Sequence, residues 1–177
     1  CAVVARTICK EGRFGSPERL FVAGLLHDTG TLVFAYRQPD LYTELLTEAV
    51  ANGRSFAAIQ QQHLGFTYAD IGLALLESWQ LPDGITNPIR YHLGGLDDAP
   101  EPVRTDAAIL HVGSVIARAA MWRSDTDEPV PEFDVTALEI TDLDTEEIMQ
   151  QADEAVIEAM SLLLPNTAAT GARQSAA

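Results

Sequence analysis

A histidine and an aspartate stand side by side in the most apolar stretch of this chain. The stretch runs from Phe21 to Phe34 and reads FVAGLLHDTGTLVF, with His27 and Asp28 as its polar interruption. An imidazole and a carboxylate both bind divalent metal ions, but a working site needs at least one or two more ligands from elsewhere in the chain. The pair is therefore a candidate metal site whose remaining ligands the fold must supply.

The same pair also has a purely structural interpretation. Adjacent residues of a helix point about 100° apart, so the two side chains converge on one ligand only if the helix ends there. In the structural interpretation, His27 hydrogen-bonds to a neighbouring backbone carbonyl and Asp28 N-caps a helix that begins near Thr29. Loss of such a cap costs about 1 kcal/mol. Local sequence alone favours this second interpretation.

Three further histidines are candidates for the same centre. His63 ends a helical pattern beside a glycine and is predicted to lie on the surface, where a helix C-terminus favours it. His92 follows a helix and is a candidate to line a pocket. His111 lies on an apolar helix and is predicted to be a hydrogen-bonded core residue. No Ser/His/Asp spacing, phosphate-binding glycine loop or CxxC motif occurs.

The composition restricts the classes of function. The 177 residues are 47% hydrophobic, which is enough for one core, and the formal net charge of −15 argues against binding to nucleic acid. Cys1 and Cys9 are about 12 Å apart along one predicted helix, too far for a disulfide, which favours a reduced, cytoplasmic setting. No stretch approaches the roughly 20 apolar residues of a membrane span.

Apolar spacing and capping residues predict an all-α bundle of seven to nine helices in one domain over residues 1–164. The predicted helices cover 1–10, 17–26 after the Ser16 cap, a continuation beyond a bend at 28–30, 39–51, 55–63, 67–79, a segment from about Thr86 to His92, 103–122 and 142–164. The start near Thr86 keeps Pro88 out of a helix interior. Residues 165–177 are predicted to be a disordered tail. The chain opens inside a helical pattern, so we expect that upstream residues belong to the same domain.

Four separated segments resemble the HDOD domain, a bacterial branch of the HD superfamily. They are FVAGLLHDTGTLVF, RQPDLY, LGFTYADIGLALLESWQLPDGITNPIRYH and AAILHVGSVIARA, in that order. The resemblance implies a helical bundle of the HD-domain type. It matches His27 and Asp28 to the doublet that names the superfamily, and His92 to one histidine of a frequent pair.

The same resemblance implies that several metal ligands are missing. Tyr68 stands where relatives often have histidine, Leu93 replaces the second histidine of the pair, and Ser114 stands where catalytic relatives carry their closing aspartate. A further ligand would lie upstream of Cys1. His27, Asp28 and His92, as a candidate third ligand, would then form a vestigial site that binds a divalent metal weakly at most.

The resemblance therefore implies a non-catalytic regulatory module of bacterial signal transduction, without a required cofactor. Its expected partners are other signalling proteins or fused signalling domains, with neither nucleic acid nor membrane, in the cytoplasm. The alternative is a divalent-metal-dependent phosphohydrolase acting on nucleotides or phosphodiesters. A third interpretation is a sensor that binds a small anionic ligand near His27 and His92.

Overall fold

Helices alone build the part of the chain that the structure describes. The computed structural model describes residues 1–125, with side chains up to residue 118, and residues 150, 151, 153, 154 and 157. The helices are α1 (Ala2–Glu11), α2 (Pro17–Leu26), α3 (Thr29–Arg37), α4 (Pro39–Ala51), α5 (Phe56–Leu64), α6 (Tyr68–Ser78), α7 (Asp83–Tyr91) and α8 (Glu101–Asp125), with a short 3-10 helix at Leu96–Asp98. The predicted all-α fold is confirmed.

Local capping explains most helix boundaries. The Ser16 hydroxyl accepts a hydrogen bond from the Arg19 N–H at the start of α2, and the Ser55 hydroxyl accepts one from the Ala58 N–H at the start of α5. Gly65 ends α5 with φ of +75°, a left-handed conformation that costs glycine nothing. These boundaries agree with the sequence prediction because each depends on side chains next to the helix end.

The predicted start of α7 near Thr86 is wrong. The helix begins at Asp83, and the Thr86 N–H already donates to the Pro82 carbonyl. Pro88 therefore lies inside the helix, where it removes one backbone hydrogen bond. Its side chain is fully buried, so apolar packing offsets part of that loss.

The last predicted elements lie largely outside the described residues. Within the predicted helix at 142–164, residues 150, 151, 153, 154 and 157 are helical. The predicted tail at 165–177 is not described. Among the described helices, none combines the length and apolar character needed to cross a membrane.

Three hydrophobic clusters form the core of the described bundle. The first joins α1, α2 and α8, the second joins α2, α6, α7 and α8, and the third joins α3, α4 and α5. Their buried members include Ile8, Leu20 and Ile109 in the first, Ala23, Leu76, Ile89 and Leu110 in the second, and Phe34, Leu45, Ala49 and Ile59 in the third. Helix α2 contributes to the first two clusters and α3 to the third. The His-Asp doublet lies at the break between these two helices.

Candidate functional site

His27 lies at the break between α2 and α3. Its Nδ1 is 2.8 Å from the Gly24 carbonyl oxygen, and because a carbonyl only accepts, Nδ1 carries the proton and donates it. The predicted bond to a neighbouring carbonyl is thus confirmed. Burial lowers the pKa of His27, which favours the neutral ring, and in that ring Nε2 keeps a lone pair.

Asp28 holds the N-cap position of α3 without capping it through its side chain. No backbone N–H of α3 bonds to the carboxylate, which instead accepts a hydrogen bond from the Thr31 hydroxyl. The predicted side-chain cap is therefore wrong. The backbone explains this, since Asp28 has φ −107° and ψ 8°, whereas the capping residue Ser55 has an extended φ of −65° and ψ of 145°. The Asp28 side chain is exposed.

His92 is completely buried against His27. The two rings meet edge to face, with their centroids 5.6 Å apart and an interplanar angle of 82°. The His92 Nδ1–H donates to the Ile89 carbonyl at 2.7 Å, and Nε2 has no hydrogen-bond partner among the described residues. Burial lowers the pKa of His92 to about 3, so its ring is neutral near pH 7 and Nε2 is an acceptor.

Tyr68 forms another side of the centre that the rings of His27 and His92 make. Its ring centroid is 6.2 Å from that of His92, and burial raises the pKa of its hydroxyl. The buried side chain of Gln60 fixes the start of α6, because its Oε1 accepts a hydrogen bond from the Tyr68 N–H at 2.8 Å. Sequence reasoning missed Gln60, whose neighbours in QQQH carry no signal that separates it from an exposed glutamine.

One face of α8 closes the centre. His111 donates its Nδ1–H to the His92 carbonyl at 2.7 Å, and the Ser114 hydroxyl donates to the His111 carbonyl at 2.8 Å. The Arg118 Nη2 lies 3.4 Å from the Ser114 Oγ, and the positive guanidinium opposes the rise that burial causes in the pKa of the Tyr68 hydroxyl. Sequence reasoning missed Arg118, although a spacing of three and then four residues from His111 places all three side chains on one helical face.

The donor set does not fit a divalent metal ion. Two neutral imidazoles meet, but the Asp28 side chain is exposed and bonds to Thr31, and the Ser114 hydroxyl carries no negative charge to neutralise a dication. Among the described residues, no group of three or more His, Cys, Asp or Glu side chains has an arrangement that could hold a metal. The sequence prediction that His27, Asp28 and His92 bind metal weakly stays a prediction for metal analysis.

His63 lies away from this centre. It is exposed at the end of α5, and its Nε2 is 3.0 Å from a carboxylate oxygen of Glu48. The predicted surface position is confirmed. Cys1 and Cys9 are both free thiols, as the helical spacing requires.

Comparison with known proteins identifies the family. Residues 1–94, just over half of the chain, match the model of the HDOD domain. An uncharacterized protein of Treponema pallidum (strain Nichols) is 31% identical over 81 residues, which cover 46% of this chain and 16% of that relative. The chain thus corresponds to a small part of that longer protein. No solved structure matches. With its all-helical fold and its His-Asp doublet at the break between α2 and α3, the chain belongs to the HDOD domain family.

Proposed function

We propose that this domain is a non-catalytic regulatory module of bacterial signal transduction, which acts in the cytoplasm by binding a protein partner or a small ligand. The observation that carries the proposal is the hydrogen bond from the Ser114 hydroxyl to the His111 carbonyl. By the family resemblance, this position holds the closing aspartate of catalytic relatives. Hydrolysis by an HD enzyme needs a metal that lowers the pKa of a bound water, and a serine turned onto its own helix supplies no negative charge for that metal.

Exposed apolar side chains support the binding part of the proposal. Leu32 and Tyr36 lie one turn apart on α3 and are 70% and 85% exposed. Large apolar groups placed side by side on a surface are typical of sites that bind other proteins. The strong negative charge of the chain suits a protein partner better than a nucleic acid.

One observation favours the alternative, a metal-dependent phosphohydrolase. The rings of His27 and His92 are in contact, and their neutral form presents Nε2 lone pairs, as metal-binding imidazoles do. A carboxylate ligand would still have to be recruited to the pair. The proposal and the alternative therefore predict opposite results for hydrolysis.

The test is hydrolysis of bis(p-nitrophenyl) phosphate and of nucleoside triphosphates by the purified domain with Mn²⁺ or Mg²⁺. We expect no turnover above that of the His27→Ala variant, with folding of both proteins checked by circular dichroism. Metal-dependent turnover that both His27→Ala and Asp28→Ala abolish, while the surface variant His63→Ala keeps it, would contradict the proposal and establish the alternative.

A further inference from the structure

Arg118 brings a positive charge to the edge of the histidine pair. From α8 its Nη2 lies 3.4 Å from the Ser114 Oγ, and its guanidinium is close enough to the Tyr68 hydroxyl to oppose the rise in the pKa of that group. These two partners come from helices that also form the walls around His92. The guanidinium thus lies beside the position where the family resemblance places the last carboxylate of a metal site.

The charge of Arg118 reaches both imidazoles. Burial is the main cause of the lowered pKa of His27 and of His92, and Arg118 lowers both further. Arginine stays protonated at every pH at which proteins fold, so this charge is permanent. The Asp28 carboxylate acts on His27 and Tyr68 in the opposite direction.

We propose that the Arg118 guanidinium takes the place of a divalent metal ion as the positive charge of this centre and excludes such an ion from it. A dication bound to the two imidazoles would lie close to a fixed positive charge, and like charges at short range repel each other, although water around the exposed guanidinium weakens this repulsion. Among the described residues, Asp28 is the one carboxylate that acts on His27, and its side chain is exposed and accepts a hydrogen bond from the Thr31 hydroxyl. This inference explains the missing metal ligands but does not depend on the proposed function.

The test restores the missing carboxylate with and without the arginine. Four proteins are compared for Mn²⁺ binding by titration calorimetry and electron paramagnetic resonance: the unaltered domain, Ser114→Asp, Arg118→Met, and the double variant. We expect no saturable binding by the unaltered domain. We expect the double variant to bind Mn²⁺ at least about tenfold more tightly than Ser114→Asp alone, because the repelling charge is gone.

The matched control replaces another exposed arginine. Arg37 ends α3, nine residues and about 13 Å along the helix axis from Asp28. Arg37→Met combined with Ser114→Asp should bind Mn²⁺ no more tightly than Ser114→Asp alone. If it matches the Arg118 double variant, the effect is one of net charge and the inference fails.

A second measurement covers the case in which the double variant does not fold. Mn²⁺ broadens the NMR signals of ring protons close to it, so the His27 and His92 signals should stay sharp in the unaltered domain and broaden in Arg118→Met. Stoichiometric Mn²⁺ binding by the unaltered domain, or equal affinity of Ser114→Asp and the double variant, would overturn the inference. Metal binding without hydrolysis would leave the proposed function standing, so the two can fail separately.

Discussion

The three histidines around the centre share one hydrogen-bonding pattern. His27, His92 and His111 each donate Nδ1–H to a backbone carbonyl, at 2.8, 2.7 and 2.7 Å. In a neutral ring, this bond determines the tautomer and leaves Nε2 as an acceptor. The backbone therefore orients these rings by itself, and their arrangement requires no metal. Asp28 differs, because it is exposed and bonds only to a nearby hydroxyl.

The structure changes the expected cost of removing Asp28. Asp28→Ala should lower the free energy of unfolding by no more than about 0.5 kcal/mol, because it removes an exposed side-chain hydrogen bond and no helix cap. Ser55→Ala, which does remove a cap, should cost about 1 kcal/mol. Urea unfolding of both variants measures the difference. Equal losses would show that the Asp28 carboxylate caps α3 in solution.

Helices α3 and α6 approach each other through glycine. A Cβ atom added at Gly30 would lie 1.8 Å from the Tyr68 carbonyl oxygen and 2.6 Å from the Gly72 nitrogen, both backbone atoms that cannot rotate away. Gly30 follows Asp28 by two residues, and Tyr68 is the first residue of α6. The glycine contact thus sets the distance between two walls of the centre.

Gly30→Ala should force α3 and α6 apart. We expect a loss of about 2 kcal/mol or more in the free energy of unfolding, as in other overpacked cores, although alanine favours a helix by about 1 kcal/mol. Gly72→Ala is the matched control, since its Cβ would lie 3.2 Å from the Gly30 nitrogen and needs a far smaller shift. Thermal or urea unfolding compares them. A Gly72→Ala loss as large as that of Gly30→Ala would contradict the geometry.

At the scale of the whole molecule, the junction of the hydrophobic clusters holds polar groups that are costly to charge. His92 is fully buried between α6, α7 and α8. Besides burial, the groups that lower its pKa are His27, Arg118 and His111, and none of them is a carboxylate. Protonating it would place a charge in the core without a carboxylate partner. The folded state therefore resists protonation of this ring, whereas the unfolded chain does not.

This difference predicts acid destabilisation. The His92 pKa is about 3 in the folded state, whereas in the unfolded chain it has the ordinary histidine value of 6.5. Between these two pH values, the unfolded chain therefore binds more protons than the folded one. The stability that neutral His92 supports is complete above about pH 6.5 and falls as the pH drops towards 3, by on the order of several kcal/mol in total. Urea unfolding at pH 7 and at pH 5 measures the slope.

His92→Phe should reduce that slope, because phenylalanine binds no proton, and the slope that remains includes the contribution of His27, whose pKa burial also lowers. The comparison uses the difference between the two pH values, so any change in absolute stability cancels. His63→Gln, at a surface histidine, serves as the control and should leave the slope intact. An unchanged slope in His92→Phe would show that another group controls the acid response.

The sequence by itself determined the helical class, most helix boundaries and the position of the doublet. Caps such as Ser16 and Ser55 act on backbone atoms three residues away, and apolar spacing reports which face of a helix is buried, so both can be read locally. Only the tertiary structure decided which groups meet. The contact of Arg118 with Tyr68 spans 50 positions and depends on how α6 and α8 pack. The exposed Asp28 side chain and the early start of α7 likewise follow from packing and backbone geometry, which residue types alone do not determine.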